Sequence, residues 1–569
     1  MTHKKHLITA ALPYVNNIPH IGNFVGSILP ADIFARFKRA KYGDENVLFA
    51  CGADAHGSPI VIQAKKEGVS PAELVAKYHG LHAKIFSEFN ISFDGGYGTT
   101  NSDVQKKLVH ELFTALDNNG FIEERETVQP YSVDDDMWLA DRQIEGTCPK
   151  CNYECARGDQ CDKCNELLDP ADLINPYAAD SGSRNIEMRK TKNLFYRADA
   201  VHADVKKWFN DTAEKNHWSR YAISATKKYL GEDVPNPSVT RDLPWGIPVN
   251  KEGYENKVFY VWFDAPWGYI SISQSARPDW ADFWHAGTDC HYAQFLGKDN
   301  IKFHALFFPG QEIAWADGNF KKVDLLKGLA FLNFEGAKIS KSNNHGIFLD
   351  DALTDAPADC WRYALIASAP ETDDTDFTIQ RFADIVNKDL NGILGNFVSR
   401  VCKLTEKNFG AAVPPKCEMR NAKCDEFFTY LASRISHLVP ELTDALEKCE
   451  FRKSVATLRE IWSAGNKFLD DTAPWTLIKN GDMDAAGAVL NECFQLIDFY
   501  ARVSAPFIPN ASEKMFGIFQ SRRSDSEGGW PKKYERRITD GAEFVVPENL
   551  FTRIDDDKIT EMTEKYTKG

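Results

Sequence analysis

Four thiols carry the most specific chemistry in this chain. Cys148-Pro149-Lys150-Cys151 and Cys161-Asp162-Lys163-Cys164 are two C-x2-C pairs with nine residues between them. Each pair closes a tight knuckle that sets two sulfurs on one ion, and four thiolates complete a tetrahedral site. Zinc is the expected occupant in a reducing compartment; an iron–sulfur cluster or a pair of unrelated turns are the other readings. A closed site of this kind has no open coordination position, so one structural Zn2+ is expected to hold shape rather than to catalyse. Cys155 lies between the pairs and off the pattern.

A second constellation opens the chain. Residues 7–12 are an apolar run that reads as a strand, a turn-rich loop follows from Pro13, and a helical pattern starts at Gly22. His20, Gly22 and Asn23 stand at the mouth of that helix, where unpaired N–H groups and the positive end of the dipole can meet an anion. By itself His20 reads equally well as a helix cap. Asp54, in Gly52-Ala53-Asp54-Ala55-His56-Gly57, follows a second strand over 45–51 and should stand at its carboxyl end. Far downstream, Lys338-Ile339-Ser340-Lys341-Ser342 offers two lysines, which alone read as a solvated loop.

The elements that position these groups alternate. From residue 7 to about 116, short apolar runs exchange with amphipathic stretches; Val104, Leu108 and Leu112 recur at helical spacing, and Asn118-Asn119-Gly120 supplies a stop. Strand–helix–strand order predicts an α/β fold with a parallel sheet that takes ligands at its carboxyl ends. Pro30 falls inside the first helical stretch and predicts a kink or break. After about 120 the alternation stops, and 121–245 reads as an insertion that carries the cysteines. Val258-Phe259-Tyr260-Val261-Trp262-Phe263 predicts a buried strand, and 294–299 marks the end of another. Beyond 385 the pattern is helical: Phe428, Leu431, Ile435 and Leu438 share a face, as do Val455, Leu458 and Trp462. Residues 521–533 read as an exposed loop, and the charged tail after about 555 is too small for another domain.

Composition bounds the class. A chain of 569 residues exceeds one core and suggests roughly three domains. Hydrophobic content of 43%, 26% charged and 12% aromatic residues fit a globular enzyme. No apolar run is long enough for a membrane span, and no signal-peptide core precedes the first strand, so a cytoplasmic location is expected. The formal net charge of −15 argues mildly against nucleic acid unless one face is locally basic. Thirteen cysteines, an odd number, do not form a secreted disulfide framework; Cys360, Cys402 and Cys493 sit in apolar contexts and read as buried thiols.

Several segments follow one another in a familiar order: Ala11-Leu12-Pro13-Tyr14 with His20-Ile21-Gly22-Asn23, Asp54-Ala55-His56-Gly57, the four cysteines, and Tyr260-Val261-Trp262-Phe263-Asp264-Ala265-Pro266. Gly297-Lys298-Asp299 through His304, then 338–342, then Ala473-Pro474-Trp475 complete the series. On these segments the sequence resembles the methionyl-tRNA synthetases over nearly its whole length, with 13–23 and 338–342 as the two signatures of class I aminoacyl-tRNA synthetases. Two positions depart from the family pattern. Asn23 stands where histidine is frequent, and Ile339 replaces the usual methionine, a volume-conserving swap.

The resemblance implies a Rossmann-type catalytic domain in two halves (1–120 and 246–325), split by a connective insertion with a zinc knuckle (121–245). A stem-contact region with the lysine loop (326–385) and a C-terminal α-helical bundle that binds the anticodon (386–569) would follow. It implies ATP-dependent ligation of L-methionine to tRNA(Met), the initiator included, through a methionyl-adenylate, with AMP and diphosphate released. His20, Asn23, Lys338 and Lys341 would be catalytic. With Gly22, Gly297 and Asp299 they would bind ATP, and Mg2+ would accompany the leaving diphosphate. Leu12, Tyr14, Asp54, Trp262, Ala265, Pro266, Tyr269 and His304 would form the methionine pocket, although Trp262 also reads as core. Asn396, Arg400 and Trp475 would read the anticodon, or else pack helices. A monomer is expected, because the chain stops before the barrel that dimerises some members. The rival readings are a class I synthetase for another amino acid and a zinc-knuckle RNA-binding protein without catalysis.

Overall fold

The computed structural model describes residues 4–139, 141–164, 166, 168–231, 234, 236–316, 319–340, 345–416, 422–519 and 529–567. Strands β1 (Lys5–Ala10), β2 (Val47–Ala50), β3 (Cys290–Gly297) and β4 (Leu325–Leu329) form one sheet in the order β4-β3-β1-β2. All three pairings are parallel. β2 and β4 are buried along their whole length, as strands covered on both faces must be. The chain steps from β1 to β2 on one side, while β3 lies on the other. The switch point therefore falls between β1 and β3, and their carboxyl ends frame a crevice for ligand. The parallel sheet read from the sequence is present.

The first helical stretch corrects one expectation. Its winding runs on through Ile21–Asn23, a wide π turn at Phe24–Ile28, and Leu29–Tyr42. Pro30 does not break the helix. Leu29 N–H bonds back to the Phe24 carbonyl, so the register has already shifted to the wide turn where Pro30, with no N–H, enters as a first-turn residue. A second correction concerns 258–263. Only Val258–Phe259 is strand, paired antiparallel with Thr240–Arg241 and outside the main sheet; Val261–Asp264 is helical. Short apolar runs do not distinguish a buried strand from a buried helix, and Pro266 sits at the start of a helical turn, where its fixed φ suits it.

Within the insertion, Ile122–Ser132 and Ile186–Tyr196 pair as a long antiparallel ribbon, and Ile144–Thr147, Ala156–Arg157 and Ile174–Ala178 make the small sheet beside the cysteines. Downstream, Ala422–Glu447, Phe451–Thr472 and Met483–Ser504 pack as long helices. The residues whose spacing predicted them, Leu431, Ile435, Leu438, Leu458 and Trp462 among them, are buried.

One apolar core runs from Ile8 in the sheet through the bundle to Tyr566. At its centre Arg362 is fully buried and donates to Asp32 (2.7 Å) and to the carbonyls of Pro506 (2.9 Å) and Phe507 (3.2 Å), joining the first long helix to the bundle. Trp530 lies in the stretch read as an exposed loop, whose residues 520–528 are outside those described. It is instead buried edge-on to Phe37 and donates to Thr443 Oγ1 at 2.8 Å. The charged tail forms a helix, Asp556–Thr567. No helix among the described residues is long and apolar enough to cross a membrane.

Candidate active site

A cavity of about 760 Å³ opens at the switch point, lined by Leu12, Tyr14, His20, Gly22, Asn23, Asp54, Trp262, Ala265, Pro266, Tyr269, Gly297, Asp299, His304 and Lys338. The structure thus brings together every sequence-derived ATP and amino-acid residue except Lys341, which lies outside the described residues.

At one end His20 is both cap and cavity wall. Its Nδ1 accepts from the N–H groups of Gly22 (3.1 Å) and Asn23 (3.2 Å). Burial lowers its pKa to about 4, so the ring is neutral and its one proton belongs on Nε2 as a donor. Asn23 Oδ1 accepts from the His20 N–H at 3.2 Å, which leaves the Asn23 amide NH2 as the free donor. Gly22 is needed for close approach: a Cβ there would meet the His20 ring at 3.0 Å. At Gly297 a Cβ would lie 2.6 Å from Asp299 Oδ1, so only glycine lets the Asp299 carboxylate stand against the end of β3.

The other end is drier. Asp54 is buried, and its Oδ1 has no hydrogen-bond partner. Burial, with the nearby Asp264 adding to it, raises its pKa well above the carboxylate range. An unpaired buried carboxylate of this kind becomes favourable when a cation joins it. Asp264 is paired through one oxygen with His56 Nδ1 at 2.9 Å, and of the two carboxylates only Asp54 lines the cavity. Next to it Trp262 stacks on Phe303 with ring centroids 3.7 Å apart. His304 Nδ1 donates to the Asn300 carbonyl at 2.9 Å, so its Nε2 is the acceptor for the Tyr269 hydroxyl, also at 2.9 Å. Burial lowers the His304 pKa to about 4, keeping that arrangement uncharged.

Three cavity residues from the insertion were not singled out by the sequence. Arg142, Arg157 and Gln160 reach the same space from the insertion. Arg142 and Arg157 hold Asp159 and Asp162 at 3.4 and 3.3 Å. Their one hint was proximity to the cysteine knuckles. Those knuckles converge: the four Sγ atoms of Cys148, Cys151, Cys161 and Cys164 all lie within 4.8 Å of one another. The Cys148–Cys164 and Cys151–Cys161 pairs stand at 3.9 and 3.6 Å. Zinc–thiolate bonds of about 2.3 Å in a tetrahedron require sulfurs about 3.8 Å apart, so this donor set fits zinc.

In the helical region Arg400 lies over the Trp475 ring at 5.1 Å and donates to Asp470 at 2.9 Å. Trp475 is 40% exposed and is not part of the buried core. Asn396 begins the same helix one turn before Arg400.

The family model for class I tRNA synthetases (M) matches residues 6–402, and the model for the anticodon binding domain of methionyl tRNA ligase matches 420–569. A methionine–tRNA ligase of Acaryochloris marina is 41% identical over 567 residues, covering 99% of both chains. That of Caulobacter vibrioides is 42% identical over 577 residues, covering 98% of this chain and 99% of the other. The chain belongs to the methionine–tRNA ligase family. It is an enzyme of the class I synthetase type. The fold also superposes on a Mycobacterium tuberculosis methionyl-tRNA synthetase in complex with methionyl-adenylate, with a TM-score of 0.77 at 20% identity over 96% of this chain and 100% of that one.

Proposed function

We propose that this chain activates L-methionine with ATP and transfers it to tRNA(Met), with substrates seated as the sequence-derived residues suggest. The observation that carries the reading is the cavity's polarity: an unpaired buried carboxylate, Asp54, at one end and the donors His20, Asn23 and Lys338 at the other. Methionine's ammonium answers Asp54, and its thioether lies among Leu12, Trp262, Ala265, Pro266, Tyr269 and His304, where sulfur–aromatic approach is favourable. Tyr14 closes the wall beside Asp54, to whose backbone it is bridged.

The methionine carboxylate is already ionised and needs no general base. Its oxygen attacks the α-phosphorus of ATP, the bond to the β-phosphate oxygen breaks, and diphosphate leaves. Catalysis is then positioning and charge stabilisation. His20 Nε2–H, the Asn23 amide and Lys338 stabilise the phosphate charge, a role the lysine pair assigns to Lys341 as well, Asp299 accepts from the ribose, and Mg2+ would supply further charge neutralisation to the leaving diphosphate. The 2′-hydroxyl of the terminal tRNA ribose next attacks the acyl carbon of the adenylate, and AMP departs. The four thiolates would hold a structural zinc that fixes the insertion carrying Arg142 and Arg157. Trp475 stacks on an anticodon base while Arg400 and Asn396 read edges. The working unit is a cytoplasmic monomer, which a light-scattering mass checks.

Attachment of labelled methionine to bulk tRNA tests the reading. Trp475→Ala should raise the KM for tRNA and leave methionine activation unchanged. Activation without any transfer to tRNA would refute it.

A further inference from the structure

The last helix among the described residues, Asp556–Thr567, falls within the region matched as anticodon-binding, yet its end bonds the segment that backs the cavity residues Ile339 and Phe348. Gly346 N–H donates to the Tyr566 carbonyl at 3.2 Å. Gly346 has φ +124°, and a Cβ there would lie 2.4 Å from Ile339 Cγ2, so its backbone presses directly on the residue after Lys338. Ile339 in turn reaches to 3.4 Å from where a Gly22 Cβ would be. The residues that follow Gly346 pair with the opening signature: Ile21 N–H donates to Ile347 (3.0 Å) and Leu349 N–H to Pro19 (2.9 Å), with His20 and Phe348 bridged and their rings edge-on. The segment 346–349 thus has the ATP-site residues on its inner side and Tyr566 on its outer side.

Beside the burial of Met562 and Tyr566 in the core, one carboxylate anchors the helix there. Asp355, 5% exposed, accepts from Lys558 (3.0 Å), Lys565 (3.0 Å) and the Tyr566 hydroxyl. It ends the helix Leu349–Asp355 that begins where the paired segment stops. A twelve-residue helix is marginal alone in water, so this one exists by docking.

We propose that Tyr566 and Asp355 are positioning residues for the ATP half of the reaction, acting through Gly346 on Ile339, Lys338 and the His20 cap. Undocking the C-terminal helix then costs ATP use and not methionine binding. The inference rests on the reading that ATP lies between His20 and Lys338.

The test is a full-length triple variant, Lys558→Ala/Lys565→Ala/Tyr566→Phe, which changes no cavity residue, beside a chain ending at Asp555. Hydrogen exchange of the 345–349 peptide reports release of Gly346. Methionine-dependent diphosphate exchange gives both Michaelis constants, and tryptophan fluorescence follows methionine binding. Faster exchange at 345–349, a KM for ATP raised or an exchange rate lowered by roughly tenfold, and unchanged methionine binding are expected. Normal ATP kinetics in the shortened chain would overturn the inference, as would parallel loss of ATP and methionine binding, the mark of a merely structural role. His20→Ala is the control for the underlying reading: if it leaves ATP use intact, the placement of ATP fails rather than the role of the helix.

Discussion

The backbone N–H of Ile21 donates to the carbonyl of Ile347 at 3.0 Å. The opening signature and the segment downstream of the lysine signature are thereby parts of one hydrogen-bonded unit. Main-chain bonds hold the His20 cap against residues 347–349, and the Ile339 side chain fills the space between Gly346 and Gly22. This is the preorganisation that a reaction catalysed by positioning requires.

His20 should be neutral, with its proton on Nε2, throughout the working pH range. Nitrogen-15 NMR of labelled protein should show that tautomer, and no titration of His20 near the ordinary histidine pKa. A protonated ring at pH 6 would contradict the capping geometry.

Stability should fall on mild acidification. Burial lowers the pKa values of His20, His82 and His304 from 6.5 to about 4. Between those values the unfolded chain takes up protons that the folded chain does not. The contribution is therefore intact above the unfolded value and lost as pH falls toward the folded one, by about 1.4 kcal/mol per pH unit for each histidine. Urea unfolding at a series of pH values measures the slope.

Asp54→Asn should cut kcat/KM for methionine by roughly a hundredfold, about 2–3 kcal/mol, as expected when a charged hydrogen-bond partner is lost in a buried site. The KM for ATP should stay nearly constant. Equal losses for both substrates would place Asp54 outside the amino-acid end.

Gly297→Ala should act on the opposite substrate. The new methyl would meet the Asp299 carboxylate, which stands 2.6 Å from the Cβ position, and must displace it. Steady-state exchange kinetics should show a raised KM for ATP at unchanged KM for methionine.

Removal of the metal should loosen the insertion and spare the bundle. Native mass spectrometry should find one zinc per chain, lost in Cys161→Ser. Hydrogen exchange should then rise across 144–178 and stay constant in Phe451–Thr472, because structural zinc contributes folding free energy locally.

Local patterns were legible where chemistry is local. The cysteine spacing, a first strand read over 7–12 and found over Lys5–Ala10, a strand end read within 294–299 and found at Gly297, and the buried faces of the long helices all came from short-range patterns. Long-range partners decided the rest. Whether 258–263 was strand or helix depended on what covered it, not on its uniform apolarity. Trp530 looked exposed in a polar stretch until Phe37 and Thr443 supplied its pocket. Arg142 and Arg157 carry no motif and are brought to the cavity by the insertion's fold. The Tyr566 carbonyl, a backbone atom, has no sequence signature at all.

Diphosphate exchange into ATP, measured with each of the standard amino acids in turn, tests the central claim most directly. The cavity predicts exchange that depends on methionine, falls about a hundredfold in kcat/KM for Asp54→Asn, and is absent with cysteine or leucine. Exchange supported equally by another amino acid, or none with methionine, would contradict it.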